Sequence, residues 1–309
     1  MRTLFMALLL GIGIVLAQAH AQGACDLDSG FTGTKDPGAL AMLDRLKGTV
    51  AMGGNNVCSG ALVTFKGRSR SARALVLTAA HCADRGSVQI PMRNGSIAML
   101  DSGEVLYRFG YQRPLTLDTG KSDAPRTCVE AAQIVYGTLT GADIMLLQLT
   151  ETYDDIERRT GVKPYVVSQD TSFPAGLALR IPSSLWQNDR ECQIEATVDK
   201  LKEFRWLWGP VLRLRLDEHA CNAPHGVSGA PAIRTQTSEV IGVLGTGADA
   251  TGVPCELNNP CEIKPDGTEV TAAKDQNYVH FVHQFYSCLD AARNIDLDAT
   301  GCLLPKPRR

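Results

Sequence analysis

The sequence predicts an all-β protein of antiparallel strands, arranged as a sandwich or a barrel. Short apolar or alternating runs bounded by Gly, Pro, Asn or Ser recur along the chain, and helical periodicity is scarce before the C-terminus. No regular helices separate the runs, as a parallel sheet would require. With 309 residues, 44% of them hydrophobic and 21% charged, the chain can bury a substantial core as one large domain or two smaller ones. Its formal charge of −2 offers no basic excess for a nucleic-acid partner.

Residues 1–21 read as a secretory signal: Arg2 supplies the positive end, residues 4–16 an apolar run, and Ala19-His20-Ala21 a small-x-small cleavage site. The run is too short to span a bilayer as a helix, which disfavours an uncleaved anchor. Lipid attachment at Cys25 is disfavoured by Gln22, where such signals usually carry an apolar residue. All ten cysteines lie beyond this segment, so disulfides, an oxidising compartment and a secreted or periplasmic location are expected, without membrane attachment once the signal is removed. Spacing alone does not fix the pairing.

Strands are expected at residues 59–65, 74–78, 144–149, 178–181, 211–216 and 240–244. The polar stretch 150–163 (TETYDDIERRTGVK) breaks the strand pattern and reads as a linker between two similar halves. Near the end, Tyr278, Phe281, Val282, Phe285 and Leu289 fall at helical spacing, which predicts a closing C-terminal helix, although residues 278–282 could equally form a last strand. The tail from Ile295 lacks periodicity, with Cys302 placed to pin it.

Chemistry concentrates in three segments. Residues 222–233 (NAPHGVSGAPAI) crowd turn formers around Ser228, which by itself is weak evidence for a nucleophile. Upstream, LVLTAAHC breaks a β-type run just before His81, and Asp143 opens the almost wholly apolar run IMLLQL. A carboxylate entering such a strand needs hydrogen-bond donors, and an imidazole is one suitable donor. Serine needs an adjacent base, and the base needs a group that fixes its tautomer; His81, Asp143 and Ser228 supply each role once.

These motifs resemble the trypsin/chymotrypsin-like serine peptidases in their secreted bacterial form. Thr78-Ala79-Ala80-His81-Cys82 is similar to that family's histidine motif, Asp143-Ile144-Met145-Leu146-Leu147 to its aspartate motif, and Gly226-Val227-Ser228-Gly229-Ala230-Pro231 to Gly-Asp-Ser-Gly-Gly-Pro. Residues 58–63 resemble the strand whose cysteine pairs with the one after the histidine, and residues 240–247 the strand along which substrate backbone binds.

The resemblance implies two packed six-stranded antiparallel β-barrels with a C-terminal helix, the first within residues 22–158 behind an N-terminal extension, the second within 159–294, and a tail at 295–309. It implies a serine endopeptidase acting on protein or peptide substrates as a monomer, without cofactor or metal. The backbone N–H groups of Gly226 and Ser228 would form the oxyanion hole. Asn222, His225, Gly245 and Gly247 are the expected substrate contacts. A Cys58–Cys82 bridge would close about 23 intervening residues and contribute roughly 3 kcal/mol; Cys192–Cys221 would brace the loop before Ser228.

Departures temper the resemblance. Val227 replaces the family's aspartate before the nucleophile, so no ion pair with a newly released amino terminus can form, and the hole is expected to assemble without that switch. Asn222 has no charge to attract Lys or Arg, and Leu244 stands where glutamate-specific relatives place a histidine, which points to an uncharged or small residue before the scissile bond. His219, Cys221 and His225 could be metal ligands, but an oxidising compartment favours the disulfide. His280 and His283 are expected on a solvated or packed face. An α/β-hydrolase elbow is excluded by Ala230, where that motif needs glycine. The competing class is a binding protein on this scaffold that has lost catalysis.

Overall fold

Two rings of strands organise the computed structural model, which describes residues 36–53, 57–92, 95–216, 221, 223–249 and 252–308. The expected signal segment, Cys25, His219 and Asn222 lie outside the described residues. The first ring comprises β1 (Thr49–Met52), β2 (Cys58–Thr64), β3 (Arg73–Thr78), β6 (Val105–Asp118), β7 (Arg126–Thr138) and β8 (Ile144–Thr152). Its order is β1-β6-β7-β8-β3-β2, and antiparallel pairing of β1 with β2 closes it. The second ring, β10-β11-β14-β19-β16-β15, is a closed barrel. Its strands are β10 (Ala178–Ser183), β11 (Asn188–Val198), β14 (Val211–Leu214), β15 (Pro231–Arg234), β16 (Val240–Gly247) and β19 (Asn277–Phe281).

The unbroken apolar runs have a packing reason. In β8, Met145 and Leu147 point into the first barrel's core while Ile144 and Leu146 join a cluster shared with Val240, Val243 and Phe285 of the second half. Ala74 and Val76 of β3 face the first cluster, and Leu75 and Leu77 the second. Strands with a core on each face read as continuous hydrophobic runs rather than alternating ones. A third cluster fills the second barrel around Leu212, Ile241 and Phe281.

Insertions are placed over one end of this frame. The hairpin β4 (Val88–Met92) and β5 (Gly95–Met99) follows the histidine turn. From the second barrel, β12 (Leu201–Glu203) and β13 (Trp206–Trp208) meet β17 (Cys261–Ile263) and β18 (Glu269–Thr271) in a four-stranded sheet. The short strand β9 (Tyr165–Val166) adds to β2 in parallel, so the first sheet extends past residue 158.

Two expectations change. The supposed linker is helical: α2 (Tyr153–Thr160) follows α1 (Pro37–Leu46) in chain order, and Thr152 with Asp155 forms a capping box at its start. Thr-x-x-Asp before a short amphipathic run is a helix-start signal, and Gly161 in the left-handed conformation ends the helix. The expected C-terminal helix shrinks to a 3-10 turn, His283–Cys288, after the strand β19. All five residues of β19 are buried, which favours a central strand, and Cys288–Cys302 ties the turn to the tail.

Candidate active site

His81 stands on the 3-10 turn Ala80–Ala83 that β3 runs into, and Asp143 directly precedes β8. Antiparallel pairing of β3 with β8 aligns Thr78 with Met145 and so places the two side by side. The Asp143 carboxylate is 1% exposed and fully engaged. Oδ1 accepts from the backbone N–H of Ala80 at 2.6 Å and of His81 at 3.1 Å, while Oδ2 lies 2.6 Å from His81 Nδ1. A carboxylate can only accept there, so Nδ1 donates and Nε2 is left as the basic nitrogen.

Burial pushes the Asp143 carboxyl upward, but the charge and hydrogen bonds of His81 outweigh it and hold the group below its usual range. Burial likewise opposes a charge on His81, yet the Asp143 carboxylate more than offsets it and the imidazole titrates above its ordinary value.

Behind the acid is His280, which the sequence placed on a solvated or packed face without a role; the packed alternative holds. His280 on β19 is fully buried, its Nδ1 accepts from the Asp143 N–H at 3.2 Å, and Trp208 meets its ring edge-on at 5.0 Å. Burial lowers its titration to about 4, so it is a neutral acceptor. The signal was its position in a strand otherwise wholly apolar or aromatic after Asn277.

Ser228 comes from the second barrel. Its carbonyl accepts from Ser59 N–H at 2.8 Å, and Gly229 N–H donates to Leu244 O at 2.7 Å, which moors the turn between β2 and β16. Gly229 has φ +82°, and a Cβ there would strike Thr78 at the end of β3 and Ser59 on β2. Only glycine permits that approach of the serine turn to the histidine turn. Gly226 has φ +91°, with its carbonyl held by Ser59 Oγ at 3.0 Å. Among the described residues no acceptor meets the N–H of Gly226 or of Ser228. Val227 between them is buried in the second barrel's core.

One cavity of about 450 Å³ is lined by His81, Asp143, Gly226 and Ser228. His81 and Ser228 face the same cavity, the setting for a nucleophile–base contact. Such contacts often tighten only when substrate is bound. Of the expected substrate contacts, His225, Gly245 and Gly247 line the same cavity, and His225 Nε2 pairs with Asp249 Oδ2 at 3.1 Å.

Disulfides join Cys58 to Cys82, Cys192 to Cys221, Cys255 to Cys261 and Cys288 to Cys302. The first fastens the residue after His81 to the start of β2, and the second takes Cys221 out of any metal site. Sequence reasoning missed Glu203 as well. It is 3% exposed, lines the cavity, and is pushed up to about 7 by burial. The available signal was period two: Leu201 and Glu203 share a buried face of β12.

No protein-family model matches the chain, and no curated protein matches it in sequence. Solved structures do overlay on it, among them serine protease domains of the trypsin/chymotrypsin type. The MamO protease domain from Magnetospirillum magneticum is 15% identical with a TM-score of 0.46, over 80% of this chain and 98% of that one. The active form of the Rv3671c protease from M. tuberculosis is 15% identical with a TM-score of 0.44, over 88% and 89%. A mutant of human heparin binding protein is 14% identical with a TM-score of 0.44, over 86% and 96%. These overlays are loose, and the chemistry of the site rests on its own side chains.

Proposed function

We propose that the chain is an exported serine endopeptidase. The observation that carries this reading is the His81–Asp143 pair at 2.6 Å, with two further N–H donors on the carboxylate, in the same cavity as Gly226 and Ser228, whose N–H groups meet no acceptor among the described residues. In this reading Ser228 Oγ attacks a peptide carbonyl while His81 Nε2 takes its proton, and Asp143 steadies the resulting imidazolium. The carbonyl oxygen becomes an oxyanion beside the two N–H groups. Collapse of that intermediate breaks the C–N bond, the imidazolium returns the proton to the leaving amine, and water hydrolyses the acyl-enzyme by the same steps. No residue here needs a metal or organic cofactor.

The four disulfides between described residues fit an oxidising compartment, and among the described residues no helix is long and apolar enough to cross a membrane. The reading places one barrel within residues 22–158 and the other within 159–294, working as a monomer on protein or peptide chains. Burial of Val227 in an apolar core supports a hole that assembles without a buried ion pair.

The second reading, a binding protein without catalysis, is favoured by Val227, which stands where the resembled family carries an aspartate before the nucleophile. A fluorophosphonate probe separates the two. Labelling that Ser228→Ala abolishes, with release of peptides from denatured protein substrate, is the expected result. A folded, unlabelled wild-type chain selects the binder.

A further inference from the structure

The carbonyls of residues 224–228, the stretch that leads into the nucleophile, each have a donor. Pro224 O accepts from Val227 N–H at 3.2 Å, Val227 O from Ala230 N–H at 2.8 Å and Ser228 O from Ser59 N–H at 2.8 Å. Side chains meet the other two: Ser59 Oγ donates to Gly226 O at 3.0 Å, and Trp186 Nε1 donates to His225 O at 2.8 Å. Among the described residues the N–H groups of Gly226 and Ser228 meet no acceptor. Backbone groups at a folded site are normally paired, so a stretch with every carbonyl met and two N–H groups kept back is arranged to receive an acceptor.

Trp186 governs one of those donors. In a planar trans peptide the C=O and the following N–H point in opposite directions. The indole draws the His225 carbonyl toward a residue that does not line the cavity, which turns the Gly226 N–H the other way, toward the cavity that Gly226, His81 and Ser228 line. Gly226, at φ +91°, has the backbone freedom to let this peptide rotate, and Val227 offers no polar group to restrain it, its side chain lying in the apolar core.

The indole is itself held in place. Trp186 N–H donates to Ser183 Oγ at 3.3 Å, and Ser183 Oγ lies 2.8 Å from Ser59 Oγ. The Ser59 proton goes to Gly226 O, so Ser183 is the donor in that pair. Gln187 Nε2 donates to Asp118 Oδ1 at 3.3 Å and to Ser184 O at 2.7 Å, and Arg126 donates to the same carbonyl. Asp118 and Arg126, paired across β6 and β7 of the first barrel, thus fix the 184–187 turn of the second. Gly226 packs so closely on that turn that a Cβ there would strike Leu185.

We propose that Trp186 is a positioning residue for the oxyanion hole: by holding the His225 carbonyl, its indole N–H keeps the Gly226 N–H aimed at the reacting carbonyl, a restraint that Val227 cannot supply. The catalytic consequence rests on the proteolytic reading above; the orientation of the peptide does not.

Two measurements on the full chain test this, using Trp186→Phe and, separately, 3-benzothienylalanine placed at position 186 alone, which keeps the shape of the indole and lacks its N–H. Trp186 is 50% exposed, so neither change opens the core. Residues 225–226 are the one His-Gly pair in the sequence, so carbonyl carbon-13 histidine combined with nitrogen-15 glycine gives a single magnetic-resonance signal for this peptide. In both variants the His225 carbonyl should move upfield, and the Gly226 amide should broaden or split as the peptide takes a second orientation. Unmoved, sharp signals overturn the proposal whether or not the protein is an enzyme. In the kinetic arm, kcat on a peptide substrate should fall several-fold, up to about tenfold, with KM little changed, as for an interaction realised in the transition state. A moved carbonyl with kcat unchanged overturns the proposal as well. A wild type that neither cleaves peptides nor takes the fluorophosphonate probe sinks the protease and leaves the two signals to decide the orientation.

Discussion

Asp143 and Glu203 are two buried carboxylates on one cavity, and their surroundings drive them in opposite directions. Asp143 receives two backbone N–H groups and an imidazole, which hold it ionised below its usual range despite burial. Glu203 receives one backbone N–H, and burial prevails, moving it up to about 7. The difference teaches that a facing imidazole, by its charge and hydrogen bond and with backbone donors added, decides more than depth whether a buried acid stays charged. The histidine turn aims its own N–H groups at Asp143, whereas the β12–β13 hairpin aims its backbone at neighbouring strands.

Breaking the satisfied side should give the largest effect. Asp143→Asn keeps the shape but presents Nδ1 of His81 with a group that can also donate, so the needed tautomer is no longer enforced. Activity, measured as kcat/KM on a peptide substrate, should fall on the order of 10³- to 10⁴-fold. The pH profile supplies a second check. A neutral base is required, so wild-type activity should rise with pH through a midpoint above the ordinary imidazole value, because Asp143 raises His81. In the variant that support is gone, and the residual activity's midpoint should move downward.

The unsatisfied side should show itself in stability. Glu203 titrates near 4.5 when unfolded and at about 7 when folded, so between those values the native state holds more protons than the unfolded state. Stability contributed by the protonated carboxyl is therefore complete below about 4.5 and lost as pH rises through about 7. Glu203→Gln removes that dependence and should gain on the wild type by roughly 3 kcal/mol between pH 4 and pH 8, read from denaturation midpoints. A parallel pH course for the two proteins would place the ionisation elsewhere.

Between these two lies His280, which accepts the Asp143 N–H and fills space that a side chain at position 245 would occupy. A Cβ on Gly245 would run into the His280 ring. Gly245→Ala should therefore destabilise the protein by about 1–3 kcal/mol through overpacking. Because Gly245 also lines the cavity, the loss should reach kcat/KM as well as the melting temperature.

The uneven legibility of the site follows the same contrast. His81 and Asp143 sit at the ends of strongly apolar runs, so each stands out as a cost needing a reason, while Ser228, among turn formers, gained weight only beside them. The two barrels were legible for a related reason, since β3 and β8 carry apolar residues on both faces. Glu203 lies in KEFRW, where charges on either side disguise a strand three residues long, and only its period-two kinship with Leu201 betrays burial. His280 was hidden by the ambiguity between a last strand and a helix, which only its partners on β14 and β16 resolve. The helix after β8 was obscured by its charge, although its capping residues were in plain sight.

The finest test of the contrast concerns a hydroxyl. Thr246 favours the charged form of Glu203 without hydrogen bonding to Oε2. Thr246→Val preserves shape and removes that dipole, so the Glu203 midpoint should rise further, by less than about one pH unit, in a carbon-13 carboxyl titration. Asp143 should not move, because none of its three donors is touched. A shift of both acids together would mean that they titrate as one coupled pair, and their opposite settings could no longer be assigned to separate local donors.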